Sequence, residues 1–83
     1  MALNTKENKE KLKVLKKLGD HIKKLREDKG ITSAEFSRLC DMERSNMSRI
    51  EMGRANLTFY NLLRIAKGLD IPVSELIKNF EEK

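Results

Sequence analysis

Residues 44–49 read Arg-Ser-Asn-Met-Ser-Arg, a run in which five of six side chains are strong hydrogen-bonding groups. Arginine can donate two hydrogen bonds to one guanine, asparagine can pair with adenine, and serine can bond to a base or a phosphate. On a helix over residues 44–52, the spacing of Met47 and Ile50 turns both toward a core and leaves the polar groups outward. The pattern therefore predicts a helix that offers hydrogen bonds to base edges or phosphates, through Arg44, Ser45, Asn46, Ser48 and Arg49.

The net charge of +5 is unevenly distributed along the chain. Residues 1–17 contain six Lys against two Glu, and residues 44–67 contain five basic residues against Glu51 alone. Residues 18–43 and 68–83 each carry a small excess of acidic groups. Because a concentrated positive field attracts polyanions, both basic segments indicate a polyanionic partner. For residues 1–17 the alternative is a solvated, lysine-rich face, and the sequence leaves that alternative open.

Composition excludes several classes of protein. The 83 residues allow one small domain, and 39% apolar with 37% charged residues make it a polar one. No apolar run exceeds three residues, which argues against a membrane span or a secretory signal. A single Cys40 and a single His21 cannot supply a disulfide framework or a zinc cluster within one chain. We expect a buried Cys40, an exposed His21, no metal, cofactor or small-molecule ligand, no enzymatic activity, and a cytoplasmic location.

Apolar spacing predicts helices along the whole chain, so the expected fold class is all-α. A stripe of leucine and isoleucine at three- and four-residue intervals predicts a first helix that runs to about Lys29 and ends at Gly30. Leu12 extends the stripe backwards, so the first helix could begin well before Gly19 and continue through it. We expect residues 1–11 to form a basic, partly frayed arm, residues 12–80 the domain, and residues 81–83 a short tail.

Capping signals divide the rest of the chain into four further helices. Thr32 opens a capping box for a helix over residues 33–40, and Gly53 stops the helix over residues 44–52. Thr58 caps a fourth helix, and Pro72 suits the first turn of a fifth. The expected inward residues are Phe36, Ser37 and Cys40, then Met47 and Ile50, then Phe59, Leu62, Leu63, Ala66 and Leu69, and finally Leu76, Ile77 and Phe80.

Two short helices separated by a three-residue turn have the spacing of a helix-turn-helix, in which the second helix presents its first turn to the major groove. Residues 18–77 resemble the phage-repressor and Cro class of this motif, the five-helix lambda-repressor-like domains of the Xre family. The resemblance lies in LGDHIKKLREDKGIT, EFSRLCDMERSNMSRIEMG and LLRIAKGLDIPVSELI. Four positions depart from the family pattern. Ser33 stands where a phosphate-binding Gln is usual, Asp41 replaces the usual Gly of the turn, Ser37 takes a position normally filled by Ala, and Leu57 replaces a common Pro in the loop.

The resemblance implies a role for each matching position. Arg26 and Glu51 match a structural salt bridge between the first helix and the end of the recognition helix. The implied base-contacting residues are Arg44, Ser45, Asn46 and Arg49. The DNA-backbone candidates are Thr32, Ser33, Arg38, Ser48, Arg54, Asn56 and Tyr60. Simple solvation is the alternative for Arg38, Arg54 and Asn56, and capping of the core is the alternative for Tyr60.

The implied function is that of a sequence-specific regulator of transcription, a repressor or autoregulator that reads a palindromic operator in double-stranded DNA as a homodimer. Such a protein works in the bacterial or phage-infected cytoplasm at the nucleoid. Phage repressors, autoregulated repressors and restriction–modification controllers all share this layout. The candidate dimer residues are Leu76, Ile77 and Phe80, with the Leu12 and Leu15 region as a second candidate and simple core coverage as the alternative. An antitoxin-like protein-binding module is the main alternative function, and the low aromatic content of 5% disfavours a binder of single strands.

Overall fold

The computed structural model describes residues 5–78 and residue 80. These residues form five α-helices and no strand: α1 over Thr5–Asp28, α2 over Ser33–Leu39, α3 over Arg44–Glu51, α4 over Phe59–Leu69 and α5 over Val73–Leu76. The prediction of an all-α chain with five helices is confirmed. The helices α2 and α3 each end one residue before the predicted boundary, because Cys40 and Met52 serve as their C-caps.

Helix α1 is the longest element and passes without a break through the predicted arm boundary at residue 11. It begins at Thr5, so residues 5–11, which were expected to be partly frayed, belong to the helix. The rest of the predicted arm, residues 1–4, and the predicted tail, residues 81–83, lie outside the described residues. At the other end Gly30 takes the left-handed conformation with φ +70°, as its place after the helix predicts.

Two glycines allow α1 to cross closely over the end of α3. A Cβ atom at residue 19 would lie 2.5 Å from the carbonyl oxygen of Ile50. At Gly53, which follows α3 with φ +75°, a Cβ atom would lie 2.7 Å from the Cα of Lys16. Since backbone meets backbone at both places, the position of α3 relative to α1 depends on the absence of these two side chains.

One apolar core joins all five helices. Its buried members are Leu18, Ile22, Phe36, Cys40, Met47, Ile50, Ile65, Ala66, Leu69 and Leu76. Phe36, Cys40, Met47 and Ile50 are buried as predicted, and Ser37 is buried beside them. Helix α3 therefore contributes its whole apolar side to the core, and its other side faces solvent.

The predicted inward face of α4 is wrong at two positions. Phe59 is 64% exposed and Leu63 is 42% exposed, whereas Ile65 is fully buried. The apolar side chains of α4 form one broad arc that runs from Ile65 round to Leu63, so the helical period alone does not decide which part of the arc meets the core. The stripe that packs inward is Leu62, Ile65, Ala66 and Leu69.

The last helix and its surroundings also differ from expectation. Pro72 precedes α5 as its N-cap instead of occupying its first turn. His21 is half-buried instead of exposed: its Nε2 lies 3.3 Å from the carbonyl oxygen of Glu75, and its ring meets Phe80 edge-on. None of the described helices is long and apolar enough to cross a bilayer.

Candidate nucleic-acid interface

Helices α2 and α3 and the turn between them form a helix-turn-helix with capped and bonded ends. The hydroxyl of Thr32 accepts a hydrogen bond from the backbone N–H of Glu35 at 3.1 Å, which starts α2. The buried Ser37 donates its hydroxyl to the carbonyl of Ser33 at 2.9 Å, so it adds no unsatisfied polar group to the core. In the turn Asp41 adopts φ +56°, and the N–H of Met42 donates to the carbonyl of Ser37 at 2.8 Å. Asp41 thus takes the left-handed position usually filled by glycine.

The exposed side of α3 carries four of the five predicted hydrogen-bonding side chains. Burial of Met47 and Ile50 turns the opposite side outward, and the residues exposed there are Arg44, Ser45, Ser48 and Arg49. Asn46 is half-buried, with its amide nitrogen 4.0 Å from the sulfur of Met42. Asn46 therefore lies at the edge of this face instead of its centre.

A buried ion pair sets the orientation of α3. Arg26 of α1 donates from Nε and Nη2 to the two carboxylate oxygens of Glu51, at 2.8 and 3.2 Å, in the predicted structural pair. Its Nη1 donates to the carbonyl of Ile31 at 2.9 Å, which ties the same guanidinium to the segment before α2. The hydrogen bonds to Glu51 raise the pKa of Arg26 above its ordinary value, so the pair stays charged. One guanidinium thereby connects α1, the approach to α2 and the end of α3.

The loop after α3 continues the positive surface. Arg54 and Asn56 are exposed, and the Nη2 of Arg49 lies 3.5 Å from the carbonyl oxygen of Arg54. Glu51 is neutralised by Arg26, so the solvent-facing charges of α3 and this loop are those of the three arginines at positions 44, 49 and 54. Thr32 and Arg38 are exposed on the α2 side of the motif, and Ser33 is half-buried. The acidic residues nearest to α3 in sequence lie in the turn before it, at Asp41 and Glu43.

Arg64 is part of this region, although the sequence singled out only its neighbour Tyr60. Its Nε donates to the carbonyl of Cys40 at 3.1 Å, its Nη2 lies 3.6 Å from the carboxylate of Asp41, and its guanidinium lies over the ring of Tyr60 at 5.4 Å. Arg64 therefore links the end of α2 and the turn to α4, and holds the exposed Tyr60 ring. The available signal was their i, i+4 spacing within the basic segment 44–67.

The predicted dimer residues have three different environments. Leu76 is fully buried in the core and offers no surface to a partner, so it does not qualify. Ile77 is 44% exposed, and Phe80 is half-buried between His21 and the ammonium group of Lys17. The exposed Phe59 and Leu63 of α4 form further apolar surface that the sequence had assigned to the core.

Comparison with known proteins places this geometry in context. The model of the helix-turn-helix family matches residues 22–76, more than half of the chain. The control protein C.MunI from Mycoplasma sp is 38% identical over 68 residues, which are 81% of this chain and 92% of that protein.

Two solved structures of restriction–modification controller proteins have a similar fold. C.AhdI from Aeromonas hydrophila is 34% identical with a TM-score of 0.73, covering 75% of this chain and 94% of that one. Wild-type C.Esp1396I is 32% identical, also with a TM-score of 0.73, covering 78% and 84%. The alignments thus take in almost the whole of these relatives but leave part of the present chain unmatched.

Proposed function

This chain belongs to the helix-turn-helix family of transcriptional regulators, and we propose that it acts by binding a specific site in double-stranded DNA. The observation that carries the proposal is the two-sided character of α3. Its apolar side is locked into the core and its end is held by the Arg26–Glu51 pair, while the opposite side presents arginine and serine. A rigid helix with outward donors at the second position of this motif suits direct reading of the major groove.

The side chains divide by position into base readers and backbone contacts. Arg44 and Ser45, on the first turn of α3, and Arg49, one turn later, reach the base edges, with Asn46 contacting bases from the edge of the same face. Phosphates are bound around them by the exposed hydroxyl, amide and guanidinium groups that flank α3, namely Thr32, Ser33, Arg38, Ser48, Arg54, Asn56 and Tyr60. Such contacts fix the register of the protein on the duplex but carry little sequence information.

A twofold-symmetric site follows from the small size of the reading surface. One recognition helix contacts only a few base pairs, which gives too little discrimination within a genome. Two copies related by a twofold axis, with recognition helices about 34 Å apart, would read a palindrome. Ile77 and Phe80 remain candidates for the contact between copies.

Because the similar proteins are controllers, we favour control of a restriction–modification system over phage repression as the role of this protein. The regulator would act at the nucleoid in the cytoplasm, with repression or autoregulation as its effect.

Selection of binding sites from random duplex DNA tests this function directly. The full-length protein is used at about 150 mM salt, where screening suppresses weak nonspecific binding. We expect enrichment of a symmetric site whose half-sites are about one helical turn apart. Salt-sensitive binding without any enriched motif would contradict the proposal, and co-purification of a second protein in that case would favour the protein-binding alternative.

A further inference from the structure

The first turns of α1 form a basic extension that the function described above does not use. Residues 8–17, called the α1 extension from here, contain five lysines and one glutamate. They precede the segment matched by the family model, which begins at residue 22. Almost all of their side chains are exposed, and the exposed group includes the apolar Leu12 and Val14.

One side of the α1 extension faces the loop that follows the recognition helix. A shallow groove of about 270 Å³ separates them and is lined by Asn8, Lys11, Leu12, Leu15, Gly53, Arg54 and Asn56. The close approach of Gly53 to the backbone of Lys16 fixes the extension in this position. Lys11 therefore lies on the same groove as two of the proposed backbone-binding residues, Arg54 and Asn56.

The groove continues the surface of α3. Arg49 on α3 lies against the backbone of Arg54, and Arg54 borders the groove that Lys11 lines on its other side. Positive side chains thus follow one another from the recognition helix through the loop to the α1 extension. A duplex bound by α3 would carry phosphates on both sides of the bases that are read, and the charge and position of this track suit one of those sides.

We propose that the loop side of the α1 extension binds the phosphate backbone of DNA flanking the bases read by α3, with Lys11, Arg54 and Asn56 as the binding groups. The proposal rests on the DNA-binding function above and extends the contacted site outward. The ten residues of the extension span about 15 Å, which corresponds to about four base pairs of flanking duplex.

The charge of the extension selects this occupant over a second copy of the chain. The exposed Leu12 and Val14 alone would also suit a helix of a partner protomer. Two segments that each carry five lysines against one glutamate repel each other, whereas a phosphate backbone attracts them. Lys16 already pairs with Asp20 at 2.9 Å, which leaves Lys11 as the lysine best placed beside the loop.

A pair of matched charge removals provides the test. Lys11→Gln removes the charge on the loop side, and Lys13→Gln removes the same charge about 200° around the helix, where Lys13 lines a different concave surface with Glu10 and Val14. Both positions are exposed, so the variants keep the fold, which circular dichroism checks. The affinity of full-length dimeric protein for the selected operator is measured as a function of salt, on duplexes with and without about four flanking base pairs.

We expect Lys11→Gln to lower the slope of log affinity against log salt by about 0.9 per phosphate contact, or about 1.8 for a dimer. The affinity gap to wild type then narrows about three- to fourfold for each doubling of salt. Removing the flanking base pairs weakens binding of wild type and Lys13→Gln more than binding of Lys11→Gln, which retains only the flanking contacts of Arg54 and Asn56.

If Lys11→Gln and Lys13→Gln change the salt dependence equally, the inference is overturned, because the overall positive charge of the helix would then explain that dependence. An operator bound with the same slope and the same flank dependence by wild type and Lys11→Gln would also overturn it, while leaving the proposed function intact. If selection enriches no operator, the proposed function fails. The same titrations on a mixed-sequence duplex then decide the inference by the same comparison.

Discussion

Arg44 and Arg54 both present a guanidinium to solvent, but their settings predict different roles in DNA binding. Arg44 begins α3, where the proposed function puts contacts to base edges, whereas Arg54 lies in the loop beyond the end of the helix. A bidentate contact to a base discriminates between sequences, and a phosphate contact does not. One pair of variants, at Arg44 and at Arg54, can therefore distinguish a guanidinium that reads bases from one that binds phosphate.

We expect Arg44→Ala to weaken binding to the selected operator by about 1–3 kcal/mol and to relax the sequence preference. Arg49→Ala should behave in the same way. Arg54→Ala should weaken binding to all sequences about equally and reduce the salt dependence. Competition titrations of operator against scrambled duplex measure both properties. Unchanged operator affinity in the Arg44 and Arg49 variants would show that α3 is not the base reader.

Glu51 compensates a guanidinium that burial cuts off from water. Replacing Glu51 by alanine leaves the Arg26 guanidinium with its hydrogen bond to the carbonyl of Ile31 but without a compensating carboxylate, and an uncompensated buried charge costs about 3–5 kcal/mol. Urea denaturation of Glu51→Ala measures this loss. Glu43→Ala, an exposed carboxylate removed from the other end of α3, serves as the control and should change stability by no more than about 0.5 kcal/mol. Equal losses in the two variants would argue against the structural role of the pair.

Cys40 gives the stability of the protein a defined dependence on alkaline pH. Burial raises the pKa of the Cys40 thiol from 9.0 to about 11, although the positive charge of Arg64 opposes the rise. The unfolded chain releases this proton near pH 9 and the folded protein keeps it until about pH 11. The protonated Cys40 thiol therefore makes its full contribution to the free energy of unfolding below pH 9. As the pH rises to 11 this contribution is lost, by at most about 3 kcal/mol.

Urea unfolding at several pH values tests the Cys40 contribution. The informative quantity is the difference in stability between wild type and Cys40→Ala at each pH. We expect wild type to lose stability more steeply than the variant between pH 9 and 11. Parallel curves would show that the thiol is not insulated by the core.

Because α1 crosses closely over α3, we expect one helix-favouring substitution in α1 to lower the stability of the protein instead of raising it. Alanine in place of glycine stabilises an exposed helix position by about 1 kcal/mol. At Gly19 the added methyl group would lie within 2.6 Å of the carbonyl oxygens of Ile50 and Glu51, which are backbone atoms and cannot turn aside. We therefore expect Gly19→Ala to destabilise the protein by about 1–3 kcal/mol.

Thermal or urea denaturation measures this effect, with Lys23→Ala on the exposed side of α1 as the control for helix propensity. The control should stay within about 0.5 kcal/mol of wild type. A stabilised Gly19→Ala variant would mean that α1 and α3 do not approach as closely as the glycines allow.

The elements also show where local signals were sufficient and where they were not. Thr32, Thr58, Gly30 and Gly53 mark helix ends by local chemistry, so those ends follow from the sequence. The inward face of α4 does not, because its apolar arc is broad and only its packing against α2 and α5 selects Ile65 over Phe59 and Leu63.

The environment of His21 depended on contacts distant in sequence. Its partners are in and after α5, more than fifty residues away along the chain. The residues next to His21 in sequence give no signal that predicts these contacts. The same reason explains why Arg64 was missed, since its bond to Cys40 joins two helices that local pattern treats separately.

The whole molecule leaves apolar side chains on its surface after its own core is complete. The ten buried apolar residues already join the five described helices, yet Phe59, Leu63 and Ile77 remain substantially exposed on α4 and α5. Single exposed apolar residues are ordinary in small proteins, whereas a self-complementary pair of copies would bury them. These residues are therefore candidate surface for the homodimer that the proposed palindromic operator would require.

We expect Ile77→Glu to shift the protein from dimer to monomer in sedimentation velocity, because each dimer would bury two carboxylates against apolar surface. Binding to a full palindrome should then weaken strongly, while binding to an isolated half-site should change little, since α3 is untouched. Leu63→Glu is the matched variant on α4. Dissociation by Leu63→Glu with an intact Ile77→Glu dimer would place the contact on α4, and a dimer that survives both substitutions would remove Leu63 and Ile77 from the interface.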